Sequence, residues 1–160
     1  MIGPVHRRKK MRHPDWNYYD KGYYFVTMVL HNRLRLFGVL KNQEMHLNDF
    51  GIRVDQIWKN IFKLKPWCDA VECDEYIFMP DHMHAIIRML PNDDSSVGLS
   101  ELVQRFKSYS TREYKRWCYA HDIIPNEKLW QRSFHDRIFR PDPNSLESIR
   151  AYIRNNPIRG

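Results

Sequence analysis

The stretch that decides the fold is YIFMPDHMHAIIRML, residues 76–90. Pro80-Asp81 is a tight-turn signal between two apolar runs. The segment therefore reads as the end of one strand and the start of its antiparallel partner. His82 and His84 lie one residue apart on the second run. A period of two puts both on one face and leaves Met83 and Ala85 to pack the other. Imidazoles in a covered strand need partners, because buried polar groups without them are costly. About 7 Å apart along the strand, the two rings can converge on one ion if a third group comes from elsewhere. An H-x-H spacing also arises readily by chance. On its own the plainer account is two histidines satisfied by backbone or carboxylates. Imidazole suits zinc, copper, iron or nickel better than manganese or magnesium.

Working outward, GYYFVTMVLHN (22–32) is rich in aromatic and β-branched residues and predicts a strand. LFGVLKNQEMHL (36–47) predicts a hairpin turning at Lys41-Asn42. Asn48-Asp49 is a helix start, followed at helical spacing by Phe50, Val54, Ile57, Trp58, Ile61 and Leu64 and stopped by Pro66. CDAVECDEYIFM (68–79) and HMHAIIRML (82–90) are the paired strands. Residues 99–120 predict an amphipathic helix with Leu99, Leu102, Val103, Phe106, Ser110 and Trp117 on one face. Arg105, Ser108, Arg112, Lys115 and Arg116 fall on another. LWQRSFHDRIFR (129–140) predicts a further strand. PNSLESIRAYIRNNP (143–157) predicts a closing helix with Asn144 as N-cap, Glu147 three residues on, and Pro157 at its end.

This order contains β-α-β-β-α-β, the split βαβ or ferredoxin-like (RRM-like) arrangement of an α+β domain. Its antiparallel sheet carries helices on one face, with a C-terminal helix added. The first and third strands are central, which places His82 and His84 mid-sheet. Residues 1–20 read as a basic N-terminal arm and 21–160 as one domain, a length that supports one core. On the last helix Tyr152 and Asn156 are one turn apart, beside the apolar stripe Leu146, Ile149 and Ile153. An asparagine oxygen is a suitable ligand for a hard ion, and a tyrosine is a possible nucleophile. A border tyrosine beside a C-capping asparagine is the plainer account of that helix alone.

The net charge of +7 and pI of about 9.4 favour a polyanionic partner, most often nucleic acid. Three cysteines without a C-x-x-C pair argue against a disulfide framework or a cysteine zinc site. The basic start lacks the apolar segment of a signal peptide, and no run approaches the roughly 20 apolar residues of a membrane span. A soluble, cytoplasmic protein is expected.

YIFMPDHMHAII resembles the His-hydrophobic-His motif of single-tyrosine transposases. YYFVTMVLHNR, FKSYSTREY, LWQRSFHDRIFR and YIRNNP, in that order, resemble the REP-associated tyrosine transposases, relatives of the smallest insertion-sequence transposases. The resemblance runs from about Tyr18 to Pro157. It implies a single-stranded DNA endonuclease and transesterase that uses Mg²⁺ or Mn²⁺. It implies His82, His84 and Asn156 as metal ligands and Tyr152 as the nucleophile that forms a 5′-phosphotyrosine. The implied partner is single-stranded DNA with a palindromic hairpin, met by a monomer or homodimer in the nucleoid, and relatives continue past the position of Gly160. The basic face Arg105, Arg112, Lys115 and Arg116 and the arm residues Arg7, Arg8, Lys9 and Lys10 are the candidate phosphate contacts. The helix end is expected to bend near Asn156, since a residue before proline avoids the α region. His135-Asp136 is a candidate neighbour to accept the Tyr152 proton, although a polar pair at a strand end is the plainer account.

Two other classes remain open at this stage. A single-stranded nucleic-acid binding protein without catalysis would stack bases on Tyr23, Phe25 and Tyr76. A metal-dependent hydrolytic nuclease would use the same histidines with water, leaving Tyr152 dispensable.

Overall fold

The computed structural model of the chain describes residues 22–90, 98–132, 135–137 and 143–159. Its frame is a four-stranded antiparallel sheet of β1 (Gly22–Val29), β4 (Val71–Met79), β5 (His82–Met89) and β6 (His135–Arg137), in the order β4-β5-β1-β6. This is the split βαβ topology, with β1 and β5 central as expected. A separate hairpin, β2 (Gly38–Lys41) and β3 (Glu44–Leu47), precedes α1 (Asp49–Ile61). Its turn is Asn42-Gln43, one residue later than expected. Both turn residues have positive φ, 54° and 61°, the pairing a two-residue hairpin loop requires and asparagine tolerates. Asn48 caps α1, accepting from Gly51 N at 2.8 Å and donating to Leu36 O at 2.9 Å.

α1 and α2 (Leu99–Ala120) cover one face of the sheet. Tyr24, Val26 and Met28 of β1 and Met83, Ala85 and Ile87 of β5 meet Phe50, Val54 and Trp58 of α1 and Leu102 and Phe106 of α2 there. The strand period dictates this: alternate residues point to the large core, and the intervening ones, including both histidines, point to the other face.

That other face carries a second, smaller core of Ile86, Leu146 and Ile153, flanked by Tyr23, Phe25, Ile77 and Ile149. It docks α3 (Pro143–Arg154). The helix begins at Pro143, so Asn144 lies within it and is not the N-cap; proline's fixed φ suits a first helical position. Glu147 pairs instead with Arg154, 2.6 Å away. The chain breaks at Asn155 and resumes as α4 (Asn156–Arg159), which is the bend expected before Pro157.

Two strand expectations need correction. In the 129–140 segment Gln131 and Arg132 lie outside any strand: Leu129 and Gln131 bond to His31 and Val29 around an isolated Leu30–Trp130 bridge, and among the described residues the strand is β6, His135–Arg137; residues 133–134 and 138–140 lie outside the described residues. β4 starts at Val71 and carries a bulge at Asp74, since Cys73 pairs with Ile87 and Glu75 with Ile86. Among the described residues no helix is long and apolar enough to cross a membrane.

Candidate active site beneath the third helix

The register decides which side chains share the histidine face. Thr27 is paired with His84 across β1 and β5, and Val29 with His82. The imidazole centroids are 4.8 Å apart. His84 stacks on Phe25 at 5.3 Å, and its Nδ1 shares a 2.7 Å hydrogen bond with Thr27 Oγ1. His82 Nδ1 lies 2.6 Å from Asp81 Oδ1. Burial raises the Asp81 carboxyl, but the His82 ring and Arg33, at 3.2 Å, more than offset this and hold it below the usual carboxylate range. Asp81 is thus an acceptor, and the His82 Nδ1–H is the donor.

Tyr152 comes to this face from α3. Its ring is 5.6 Å from His84 and 6.2 Å from Phe25, in edge-on geometry with both. The residue remains 36% exposed, so a large substrate can reach it. Asn156 is buried at the head of α4, one turn further on. α4 itself packs against β3 and β4.

The bulge explains how α3 is held in place. A regular strand would turn Asp74 and Glu75 to opposite faces. Here both meet α3. Asp74 accepts two hydrogen bonds from Arg150, at 2.8 and 2.6 Å, and Glu75 accepts one from Arg154 at 2.8 Å. The two arginines are one helical turn apart, so the paired acids fix both rotation and height of the helix that carries Tyr152. The Asp74 hydrogen bonds also raise the Arg150 guanidinium further above its ordinary value.

The donor set suits a divalent ion. Each histidine has its Nδ1 held by a protein oxygen, the arrangement that orients Nε2 toward a metal. Among the described residues no three His, Cys, Asp or Glu side chains form a metal-binding group. A third protein donor from this set would be of another type, and the Asn156 amide is one.

Residues 33–156 match the family described as Transposase IS200 like, which is most of the chain. The chain belongs to the IS200-like transposase family. Among relatives of this IS200-like transposase is an uncharacterized Haemophilus influenzae protein, 33% identical, with 96% of this chain and 90% of the relative aligned. A second H. influenzae protein, named provisionally as a REP-associated tyrosine transposase, is 24% identical over 86% of this chain and 71% of its own length. The fold is similar to a REP-associated tyrosine transposase solved bound to a REP hairpin (TM-score 0.59, 19% identity, 92% of this chain and 74% of that one). The family resemblance drawn from the motif order is therefore borne out.

Other sequence-predicted positions fall elsewhere on this transposase. Arg105, Arg112, Lys115 and Arg116 are exposed on α2, on the side of the sheet opposite the histidines. Arg105 lies over the Trp67 and Tyr109 rings, 5.7 and 5.9 Å away, and Arg116 pairs with Glu113 at 3.3 Å. Arg7, Arg8, Lys9 and Lys10 lie outside the described residues. His135 is the register partner of Thr27 on the far side of β1, and Asp136 that of Val26. Tyr76 faces the large core and donates to Asp55 at 2.7 Å. Tyr23 and Phe25 pack beneath α3. The three rings proposed as a base-stacking platform therefore do not share an open face. Sequence reasoning passed over Thr27, Asp81, Asp74, Arg150 and Arg154. Only Asp81, beside His82, carried a local signal, since the others meet their partners through register or across α3.

Proposed function

We propose that this transposase cleaves and rejoins single-stranded DNA beside a hairpin-forming repeat through a covalent tyrosine intermediate. The observation that carries the reading is the placement of the Tyr152 ring 5.6 Å from His84, on an element that follows β5 by more than fifty residues. Tyr152 Oη attacks the scissile phosphorus, forming a 5′-phosphotyrosine bond and releasing a 3′-OH. Attack by a different 3′-OH reverses the step and frees the tyrosine. The phenol proton passes to solvent as the O–P bond forms, and the departing 3′ oxygen takes one proton from solvent, so the step is proton-neutral.

His82, His84 and Asn156 would hold Mg²⁺ or Mn²⁺, which when bound supplies Lewis-acid charge compensation at the scissile phosphate. Asp81 and Thr27 orient the two rings. Asp74 and Glu75 hold α3 so that Tyr152 stays over the histidine face. Phe25 packs under both reacting elements and excludes water from that side. The hairpin substrate is supported by the similar fold solved with a REP hairpin. The cations of α2 (Arg105, Arg112, Lys115, Arg116) and the arm (Arg7, Arg8, Lys9, Lys10) supply phosphate contacts in this reading.

The test is a denaturing gel after incubation with a labelled single-stranded hairpin oligonucleotide and Mn²⁺ or Mg²⁺. Wild type should yield a protein-linked fragment. Tyr152→Phe should bind the same hairpin with unchanged affinity and yield none. Free cleaved fragments from Tyr152→Phe would reassign the site to hydrolysis by water.

A further inference from the structure

Between β1 and β2 the chain passes through a left-handed turn beside the histidine pair. Asn32 and Arg33 both have positive φ, 56° and 51°. Asparagine tolerates that region; arginine, whose Cβ crowds the backbone there, enters it at a cost. The turn is held by its surroundings. Leu30 N donates to Asp81 O at 2.9 Å, Arg33 N to Leu30 O at 2.9 Å and Phe37 N to Pro80 O at 3.1 Å, so residues 30–37 wrap the Pro80-Asp81 turn. Backbone strain of this kind collects at functional sites, where the surrounding contacts keep it in place.

The strained residue reaches the histidines through one carboxylate. Arg33 Nε donates to Asp81 Oδ2 at 3.2 Å, and Asp81 Oδ1 lies 2.6 Å from His82 Nδ1. The Asp81 side chain is only 14% exposed, whereas that of Arg33 is 61% exposed. Arg53, Arg88, Arg116, Arg150 and Arg154 each commit at least one Nη to a carboxylate. Arg33 is bound through Nε, and among the described residues Asp81 is its only polar partner. Its Nη1–Nη2 edge is therefore uncommitted to these residues at the rim of the site. An exposed ion pair contributes little to stability, so the pair by itself does not account for the left-handed turn.

We propose that Arg33 grips the single strand at the active site, its Nη1–Nη2 edge binding the phosphodiester next to the scissile one. The inference rests on the proposed single-stranded DNA substrate and adds a residue that positions that strand. The planar fork matches two phosphate oxygens, which lysine, a point charge without a second edge, does not reproduce. Nε stays on Asp81 while the far edge takes the phosphate, so the guanidinium need not swing to meet the strand. In the proposed reaction the scissile phosphate lies on the Nε2 side of the His82 ring. Arg33 lies beyond Asp81 on the Nδ1 side. That offset assigns it the neighbouring phosphate. A strand fixed at a second phosphate is held in line for attack by Tyr152, and positioning of this kind lowers the entropic part of the barrier. The same guanidinium joins the strand to the carboxylate that orients His82.

The experiment is fluorescence anisotropy in EDTA, which measures binding without chemistry. The probe is a labelled DNA hairpin with a single-stranded flank. It is made fully charged, and then with one flank phosphate at a time replaced by an uncharged methylphosphonate. At one flank position the replacement should weaken wild-type binding about ten-fold, the loss expected of one charge-assisted contact. Arg33→Gln should bind the fully charged probe more weakly by a similar factor, and the replacement at that position should then cost it nothing further. Arg35→Gln removes the same charge from an exposed position two residues on and should give the wild-type scan. A wild-type scan with no sensitive position overturns the assignment, as does full sensitivity retained by Arg33→Gln or a loss of sensitivity shared by Arg35→Gln. The protein–DNA adduct on a denaturing gel reports separately on the transesterase reading. A normal adduct with full methylphosphonate sensitivity in Arg33→Gln would sink the grip and leave that reading standing. Free fragments from Tyr152→Phe beside the expected scan would reassign the chemistry and keep the grip.

Discussion

Ile153→Ala tests whether α3 is held as a separately openable unit. Ile153 is fully buried in the small core with Ile86 and Leu146, and the sheet separates this core from the large one. The substitution removes three carbons. At about 0.8 kcal/mol each, the transfer term is roughly 2.4 kcal/mol, and the residual cavity adds to it. The small core and the arginine pairs to Asp74 and Glu75 hold the helix in place, so the loss should appear as local opening rather than global unfolding. A penalty of about 2.4 kcal/mol is roughly a 50-fold increase in the opening constant. Hydrogen exchange followed by mass spectrometry should show α3 amides accelerated by about that factor. Amides of α2 and β5 should keep wild-type protection. In the proposed reaction, adduct formation by Tyr152 should fall while hairpin affinity holds. Equal acceleration in α2 and β5 would mean that the two cores open together, and unchanged α3 protection would mean that the small core does not hold the helix. Either result refutes the reasoning.

Three further outcomes follow from the packing. Gly51→Ala should lower Tm by several degrees despite alanine's better helix propensity, because a Cβ there would sit 2.1 Å from Phe37 O and overpacking costs about 1–3 kcal/mol. Ser110→Ala strands the buried Trp130 N–H and should cost about 1–3 kcal/mol in urea denaturation. Adding Trp130→Phe should then cost less than it does in wild type, and strict additivity would show that the bond carries no coupling. Burial pushes the Cys73 thiol up to about 12, whereas Cys68 is exposed. Brief iodoacetamide treatment at pH 8 should therefore label Cys68 and spare Cys73, as peptide mass spectrometry would read. The sign of the linkage is also fixed. Between about 9 and 12 the unfolded chain loses the Cys73 proton first, so this group lowers stability as pH rises through that window.

The strand pair around Pro80-Asp81, the helix at Asn48 and the amphipathic α2 were legible in the sequence because each is a local pattern. Turn chemistry, a cap and a hydrophobic period all act within a few residues. The same period placed His82 and His84 on one face and Met83 and Ala85 on the other. The helical repeat set Tyr152 beside the stripe of Leu146, Ile149 and Ile153. The motif order carried the family.

Tertiary structure decided what those residues meet. Register, not composition, gave His84 its Thr27 partner and put Phe25 beneath Tyr152. The ion-pair grip on α3 depended on the bulge at Asp74. One unpaired residue in β4 interrupts the alternation, so that two successive carboxylates meet Arg150 and Arg154. In the sequence that bulge reads as ordinary strand, because an insertion in a ladder is defined only against the partner strand. Local rules propagate along the chain, whereas contacts between distant segments are set by packing, and packing exists only once the chain has folded.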